Sequence, residues 1–505
     1  MIPGFGGGPG HDFCIPVTIV SKYYVACDLG AEKGRVMLGT LHQGRLTMSE
    51  VRHFRNEPIR EKNSVQWNIP QLYDELLTGL REVSRYEEPL HGISCNSWAS
   101  DYLLFGADGA LITPTFHGAV DGADARMKEI FAKVPWETIY GETGVQQAPV
   151  NTLVQLNREK SRRLKEGNQV LPVADGFNYL LAGIPRVEMS LASATQLFNP
   201  VTQNWSDRLL SALRLPPRLF PPVVPAGTKL GALRPEIVKE LGFDETKVVS
   251  SCSHELAAAL AGLPVTLGER WAFLQSGAGS VMGTELSEPI INEISRGMNF
   301  TNETGYGGSV RFFKRLPGLW ILDECCRFWK ETDRELADEI LTHLAVSAPP
   351  FESLINPADP RFATPGDMPL KIQEFCKETD QSIPRKPGSV IRCVLESLAL
   401  QYRKTLSEIE YLTGRPIKRL YLLGGSGNKL MNHFTANALQ IPLVVAPADA
   451  TAIGNVVVQA LTLGHIGSLC EARDIIRGSF KMETILPHAA VWSEAFDRFA
   501  RIVPA

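Results

Sequence analysis

Asp28 follows an apolar run and precedes a glycine turn in the stretch YVACDLGAEKGRVMLGTL, residues 24–41. A turn between two strands presents backbone N–H groups that can hold phosphate oxygen atoms. Phosphate repels a neighbouring carboxylate unless a cation lies between them, and proteins bind Mg²⁺ through carboxylates, phosphates and water. Asp28, Gly30 and Arg35 therefore fit a metal–phosphate site. The alternative is a plain hairpin whose aspartate satisfies its own turn.

Two further glycine-rich segments could contact a nucleotide. QSGAGSVMG, residues 275–283, repeats the first turn, so that two turns could hold a triphosphate from both sides. Taken alone, this second turn is better explained as a hairpin. LLGGSGNKLMN, residues 422–432, joins a strand to the start of a helix, which is a geometry that binds anions. Close packing of a helix on a strand explains the same glycines.

His254 and Glu255 stand at the start of an alanine-rich helix in CSHELAAALAG, directly after a strand. A carboxylate at this place faces the space between two halves of the chain and could act as a general base. The alternative is an acidic residue that complements the helix dipole. A zinc-protease motif is excluded because it requires His at position 258, which is Ala.

Hydrophobic periodicity predicts the elements that must hold these residues. Strands are expected at 23–27, 36–41, 46–54, 91–96 and 247–252, and helices at 70–83 and 387–412. The strand at 247–252 is taken as the start of the second half, and the Pro-rich stretch 349–384 as a set of surface excursions. Because the strand–turn–strand unit occurs in both halves, we predict an α/β fold of two related halves that face each other.

Length and composition limit the classes of protein. A chain of 505 residues is too long for one core, and two or three domains are expected. The net charge of −4 gives no basic excess for nucleic acid, and no apolar run is long enough for a transmembrane helix. The nine cysteines include no C-x-x-C pair, so zinc and redox motifs are unsupported and a reducing cytoplasm is expected. Residues 1–21 are predicted to be a disordered tail.

Six segments, in order, resemble the FGGY carbohydrate kinases, most closely their rhamnulokinase branch. The segments are DLGAEKGRVMLG, SWASDYLLF, TGVQQAPVNTLVQL, ASATQLFNPVTQNW, NFTNETGYGGSVRFFKRLPGLWILDECCRFW and LLGGSGNKLMNHFTANALQIPLVVAPADATAIGN. The resemblance covers residues 24–469. It implies two actin-like (ribonuclease H-like) domains with a cleft between them, which we assign to residues 22–247, on the sugar side, and 248–490, on the nucleotide side. It also implies phosphoryl transfer from ATP, with Mg²⁺, to a sugar hydroxyl.

The resemblance further implies roles for individual residues. Glu255 would accept the proton of the attacking hydroxyl, and Asp28 would face Mg²⁺ through water. The residues that would border the sugar are Trp98, Ala99, Asp101, His254 and Arg315. The residues that would contact ATP and its phosphates are Asp28, Gly30, Ala31, Lys33, Gly34, Arg35, Gly277, Ala278, Asp323, Gly424, Gly425, Ser426 and Asn428.

Several of these positions depart from the family pattern. The departures are Glu255 for Asp, Glu32 and Lys33 for hydroxyl residues, Ala278 for Thr, Ala99 for Gly, Arg315 for Asn and Asp323 for Gln. The added methylene of Glu255 moves its carboxylate by roughly 1.5 Å, and a 1 Å misplacement can reduce a rate by about 10²-fold.

Two interpretations stay open. In the first, the site has shifted as a unit and phosphorylates a ketose such as L-rhamnulose, or a more acidic sugar that Arg315 binds. In the second, transfer has been lost and the protein binds nucleotide or sugar. An actin-like ATPase without a sugar is disfavoured by Trp98, Asp101 and the NFTNE segment.

Overall fold

The computed structural model describes residues 21–61, 64–118, 123–159, 161–332, 338–424, 428–488 and 491–503. Residues 1–20 of the predicted tail therefore lie outside the described residues. The fold is mixed α/β and is built on two main sheets, one in each half of the chain. Among the described residues, no helix combines the length and the apolar character needed to cross a bilayer.

The first sheet has six strands, and it begins with the predicted antiparallel meander. In spatial order the strands are Thr228–Ala232, Lys247–Ser250, Leu90–Ser97, Lys22–Leu29, Lys33–His42 and Arg45–Arg55. The first strand of the meander also pairs in parallel with Leu90–Ser97, which places Asp28 opposite Asn96.

The second sheet has seven strands and repeats this plan. In spatial order they are Phe300–Thr304, Val310–Pro317, Gly279–Leu286, Trp271–Gln275, Arg419–Leu423, Leu443–Val445 and Glu483–Ile485. Trp271–Gln275 forms an antiparallel hairpin with Gly279–Leu286 and pairs in parallel with Arg419–Leu423. The predicted repeat of the strand–turn–strand unit is confirmed.

Four small sheets and the helices complete the chain. The small sheets pair Ile59–Glu61, Ser64–Trp67 and Thr115–Phe116; Tyr102–Gly106 and Gly167–Pro172; Val187–Glu188 and Val223–Val224; and Phe198–Asn199 and Asn204–Trp205. The helices before residue 250 are Ile69–Ser84, Ala123–Lys133, Trp136–Thr143, Thr152–Arg158, Ser161–Glu166, Val173–Ala182, Met189–Ala194, Asp207–Ala212 and Pro235–Leu241. The later helices are Glu255–Ala261, Glu293–Gly297, Trp320–Thr332, Asp338–Ser347, Met368–Glu378, Pro387–Thr413, Lys429–Leu439, Ala450–Thr462, Leu469–Ser479 and Trp492–Ile502.

The strand Lys247–Ser250 belongs to the first sheet, so the expectation that it opens the second half is wrong. Val248 pairs with Ile93 in parallel register, and the N–H of Ser251 donates to Ser94 Oγ. The strand is apolar and buried, and its best neighbour is the equally buried strand Leu90–Ser97. Its carboxyl end therefore reaches the same sheet edge as Asp28.

The stretch 349–384 is not a surface excursion. It contains the helix Met368–Glu378, in which Met368, Ile372 and Phe375 are buried in the core of the second half. These three positions have helical spacing, so that one face of the helix is apolar. The prolines of this stretch lie outside the helix or in its first turn, where proline is tolerated.

The helix Glu255–Ala261 is held by very close packing on the helix Ala450–Thr462. A Cβ atom on Gly454 would lie 1.8 Å from the carbonyl oxygen of Ala258. The other face of Ala450–Thr462 packs on the first sheet, where Val456 lies against Gly39. The position of Glu255 therefore depends on a glycine in a distant part of the sequence.

We predict that Gly454→Ala destabilises the protein by about 1–3 kcal/mol, because the added methyl group forces two helices apart. The matched control is Gly478→Ala in the helix Leu469–Ser479, where an added Cβ has no neighbour within 4 Å. The control is expected to be neutral or to stabilise by about 0.5–1 kcal/mol. Urea unfolding of the two variants measures the difference, and equal stability would contradict the packing described.

Candidate active site

A cavity of about 290 Å³ lies between the two halves, and both contribute to its wall. Its lining residues are Ala31, Trp67, Trp98, Ala99, Ser100, Asp101, His117, Gly118, Val150, His254, Glu255, Leu256, Gln275, Val281, Phe313 and Arg315. The structure thus brings together the six residues that the sequence assigns to the sugar and to the base. Ala31, assigned to the phosphates, lines the same cavity.

Asp101 is held in this cavity by three hydrogen bonds to its carboxylate. Its Oδ2 accepts the indole N–H of Trp67 at 2.6 Å and that of Trp98 at 2.9 Å. Its Oδ1 accepts the side-chain amide of Gln155 at 2.8 Å. Burial raises the pKa of Asp101, and these three donors oppose that rise. Asp101 is therefore a fixed acceptor for hydroxyl groups.

Trp67, His117 and Gln155 were not predicted from the sequence. The Trp67 ring centroid lies 4.6 Å from that of Trp98 and 4.7 Å from that of His117, so that the aromatic rings form one wall. Trp67 lies three residues before the predicted helix at 70–83. Its only signal in the sequence was that a buried indole N–H needs a hydrogen-bond acceptor. That acceptor is Asp101, which is 34 positions away in the sequence.

His254 caps the helix of Glu255 and is neutral. Its Nδ1 accepts the N–H of Leu256 at 3.0 Å, so the proton of the ring is on Nε2. Nε2 lies 3.7 Å from Glu303 Oε2. Burial lowers the pKa of His254 well below its ordinary value, and the charges of Arg311 and Arg315 add to this effect. His254 can thus act as a neutral hydrogen-bond donor in the cavity.

Glu255 is half-buried, and its pKa is raised to about 7. Burial is the larger cause, the charge of Asp28 adds to it, and Arg315 opposes it. A base with a pKa near the working pH combines a useful ionised fraction with the strongest driving force for accepting a proton. The pKa of Glu255 therefore lies in the range that suits a general base.

A buried polar network holds the two residues before Glu255. The N–H of Ser253 donates to Glu188 Oε2 at 2.8 Å, and the N–H of His254 donates to Ser190 Oγ at 2.9 Å. The hydroxyl of Ser253 donates to Asp175 Oδ1 at 2.7 Å. Burial raises the pKa of Glu188 to about 7, against the effect of its hydrogen-bond donors. The start of the helix is thus fixed by side chains from the first half.

Asp28 is oriented by two neighbours at the sheet edge. Its Oδ1 accepts the amide of Asn96 at 2.6 Å, and its Oδ2 accepts Arg35 Nη2 at 2.7 Å. Asn96 in turn accepts the amide of Asn455 at 2.9 Å, and Arg35 Nη1 donates to Asp449 Oδ1 at 2.7 Å. The carboxylate of Asp28 is thus linked to the second half through both neighbours.

The first glycine turn is closed on itself. The N–H of Gly30 donates to the carbonyl of Lys33 at 2.9 Å, while the side chains of Glu32 and Lys33 are exposed. Gly34 lies under Phe54, since a Cβ atom on it would be 2.3 Å from that ring. Packing alone is therefore sufficient to require glycine at position 34.

Hydrogen bonds of the carbonyl oxygens fix the orientation of the peptide groups in the second turn, at Gly277 and Ala278. The carbonyls of Gly277 and Ala278 accept the N–H groups of Leu319 at 2.8 Å and Trp320 at 3.1 Å. In a trans peptide the N–H points away from the preceding carbonyl, so the N–H groups of Ala278 and Gly279 point away from that segment.

A second cavity, of about 450 Å³, brings together Asp323 and Asn428, two of the residues predicted to contact the nucleotide. Apolar, basic and hydroxyl side chains complete its wall: Leu322, Cys326, Arg327, Lys330, Leu341, Thr342, Ile391, Leu395 and Leu430. Asn428 caps the helix Lys429–Leu439 by accepting the N–H of Met431 at 3.0 Å. Gly424 has a φ of +77°, whereas Gly425 and Ser426 lie outside the described residues.

Comparison with solved structures defines the fold as that of a sugar kinase. A xylulose kinase from Lactobacillus acidophilus matches with a TM-score of 0.79 and 15% identity, over 95% of this chain and 97% of that chain. A gluconate kinase from the same species matches with a TM-score of 0.80 and 15% identity, over 96% and 98%.

Sequence comparison gives the family. The model of the FGGY family of carbohydrate kinases, N-terminal domain, matches residues 23–262, and that of the C-terminal domain matches residues 272–463. The chain belongs to the FGGY family of carbohydrate kinases. It is 36% identical to a rhamnulokinase of Bacteroides thetaiotaomicron over 96% of this chain and 100% of the relative. It is 31% identical to a rhamnulokinase of Bacillus subtilis, over 95% and 98%.

We predict that Trp67→Phe raises the KM for the sugar about tenfold, because Asp101 loses a charge-assisted hydrogen bond. The matched control is Trp205→Phe, since the Trp205 indole donates to the Pro221 carbonyl at 2.8 Å and does not line the cavity. Steady-state kinetics on both variants makes the comparison. An equal KM in the two variants would show that Trp67 does not orient Asp101 for the sugar.

Proposed function

We propose that this protein is an ATP-dependent sugar kinase of rhamnulokinase type, which transfers the γ-phosphate of ATP to a ketose such as L-rhamnulose. The observation that carries the proposal is Glu255, whose pKa of about 7 coincides with a position in the cavity beside Asp101 and His254. The named relatives support the choice of a ketose.

The cavity suits a neutral polyol. Asp101 offers carboxylate oxygen atoms as acceptors, and the Nε2–H of His254 offers a donor. The rings of Trp67 and Trp98 cover the apolar face that a sugar ring presents. Fixed donors and acceptors of this kind hold a hydroxyl in the reactive orientation, which accounts for much of the catalysis of phosphoryl transfer.

Glu255 is the group that we assign to proton transfer. The sugar hydroxyl oxygen forms a bond to the γ-phosphorus, the bond from that phosphorus to the bridging oxygen breaks, and ADP leaves. The proton of the hydroxyl passes to the Glu255 carboxylate. Arg315 lies in the same cavity and favours the ionised form of Glu255, so the base is partly deprotonated before the sugar binds.

The residues present fit a Mg²⁺ ion that is held mainly by phosphate and water. Both oxygen atoms of Asp28 accept one hydrogen bond and keep further lone pairs for a water ligand. Proteins commonly hold Mg²⁺ through one or two carboxylates together with substrate phosphates and water, and Asp28 would supply one carboxylate. Mg²⁺ supplies charge neutralisation at the phosphates when bound.

The nucleotide is assigned to the second cavity and to the two turns. The cavity beside Asp323 and Asn428 is large enough for a nucleoside and has apolar walls for a base. We propose that Gly30, Gly34 and Arg35 approach the phosphates from the first half, and Gly277 and Ala278 from the second. The N-terminal domain, matched over residues 23–262, would then form the sugar side, and the C-terminal domain, matched over residues 272–463, the nucleotide side.

The reaction is tested by sugar-dependent release of ADP over a panel of ketoses that includes L-rhamnulose. Glu255→Gln is expected to lower kcat by about 10²- to 10⁴-fold, because the hydroxyl loses its proton acceptor. Glu293→Gln is the matched control, since Glu293 also begins a helix but is exposed. Retained ATP binding without release from any sugar would contradict the proposal and favour a binding protein. A rate increase in Glu255→Asp would show that the reach of the carboxylate limits catalysis.

The pH dependence gives an independent prediction. Glu255 accepts a proton only when ionised, so kcat/KM is expected to fall as the pH decreases below about 7 and to level off above it. Initial rates at low sugar concentration, with ATP in excess, measure this profile. A rate that does not change across the neutral range would mean that Glu255 is not the base.

Arg315 favours one alternative substrate class, an acidic sugar. Its guanidinium lines the cavity where a carboxylate of an aldonate or uronate could lie. Adding gluconate and glucuronate to the panel separates this alternative from a ketose kinase. A preference for the acid that Arg315→Asn reverses would favour the acidic substrate.

A further inference from the structure

A third cavity, of about 380 Å³, has no role in the reaction described. It lies beside the cavity of about 290 Å³ that we assign to the sugar, which is called the sugar cavity below. Gly118 lines both cavities. Gln155 lines the third cavity and donates to Asp101, which lines the sugar cavity. The remaining lining residues are Ser64, Gln66, Tyr102, Pro114, Phe116, Arg126, Pro149, Val154, Arg158, Glu159 and Arg163.

The wall of this third cavity carries an excess of positive charge. Among its described lining residues there are three arginines and a single carboxylate, Glu159. That carboxylate is already engaged, because it accepts the hydroxyl of Tyr102 at 2.9 Å and lies 2.9 Å from Arg163 Nε. Three guanidinium groups thus share this wall with one carboxylate.

The guanidinium of Arg158 is the hydrogen-bond donor in this cavity that is available to a ligand. Its guanidinium lies 5.3 Å from the centroid of the Phe116 ring, and the guanidinium of Arg163 lies 5.2 Å from the same ring. Within the described ranges Arg158 has no hydrogen bond or ion pair to an acceptor. Burial lowers the pKa of Arg158, the charge of Arg126 adds to this effect, and the charge of Glu159 opposes it. Nη1 of Arg163 is also buried without a hydrogen-bond partner among the described residues.

The chemistry of the wall defines the ligand. A guanidinium presents N–H groups in a planar fork that matches the oxygen atoms of a carboxylate or phosphate. Pro114, Phe116, Pro149 and Val154 add apolar surface beside the arginines. The volume is within the range of about 300–1,000 Å³ that is usual for small-molecule sites. We propose that this cavity binds a small organic anion, with its carboxylate or phosphate on Arg158 and its carbon skeleton against the apolar wall.

The test measures binding of defined probes by isothermal titration calorimetry, with ADP in excess so that the nucleotide phosphate site is filled. The probes are gluconate, fructose 1-phosphate and inorganic phosphate, and neutral fructose is the blank. Arg158→Gln is expected to weaken binding of at least one organic anion by about tenfold or more. The matched control, Arg162→Gln, is expected to bind as the unmodified protein does, because Arg162 is exposed and pairs with Glu166 on its own helix.

The outcomes are distinguishable. An effect of Arg158→Gln on gluconate identifies a carboxylate ligand, and an effect on fructose 1-phosphate identifies a phosphate ester; either supports the site. Binding of no organic anion at millimolar concentration, or equal binding by Arg158→Gln, overturns the proposal, as does binding of inorganic phosphate alone. If Arg158→Gln does not fold, Arg158→Lys keeps the charge but loses the fork, and a loss of about threefold or more is then expected. Binding is measured without turnover, so the result is independent of the proposed kinase reaction.

Discussion

A buried contact of Arg311 helps to set the relative placement of the two halves. Its guanidinium is fully buried, and it reaches from the second sheet to the Ser190 carbonyl in the first half at 3.2 Å. Its charge is balanced by Glu303 at 2.9 Å. Glu303 and Arg311 pair on neighbouring strands of the second sheet, so the ion pair forms within the second half, and the bond to the Ser190 carbonyl joins it to the first half. Loss of a partner of a buried charge is strongly destabilising. The hydroxyl oxygen of the same Ser190 accepts the N–H of His254, so this serine contacts both Arg311 and the start of the helix Glu255–Ala261.

Burial also determines the electrostatics of the candidate active site. The burial that makes Arg311 dependent on its partners also keeps His254 neutral and raises the pKa of Glu255 to about 7. Glu255 stands where the family resemblance implies an aspartate, yet it lies in the same cavity as the residues that we assign to the sugar. Glu32 and Lys33 are exposed on a turn that closes through its own backbone. The substitutions in the first turn therefore leave the cavity wall intact, whereas Glu255 and Arg315 change its chemistry together.

Much of this fold could be predicted from the sequence because the signals were local. Alternating apolar residues identified the meander and the repeated hairpin, and the order of the quoted segments identified the family. The strand Lys247–Ser250 was assigned to the wrong half because the apolar residues of a strand do not indicate which sheet the strand will join. Trp67 and Gln155 were missed for a related reason, since both contact Asp101 from positions more than thirty residues away. The same limit applies to Gly34, whose glycine is required by the ring of Phe54.

The central claim is that Glu255 accepts the proton of a sugar hydroxyl in the cavity beside Asp101. A crystal structure of the protein with L-rhamnulose and a non-hydrolysable ATP analogue tests it most directly. We expect a sugar hydroxyl within hydrogen-bond distance of a Glu255 carboxylate oxygen and on the side that faces the γ-phosphate, with a second hydroxyl on Asp101. A sugar bound in this cavity with every hydroxyl out of reach of Glu255 would contradict it.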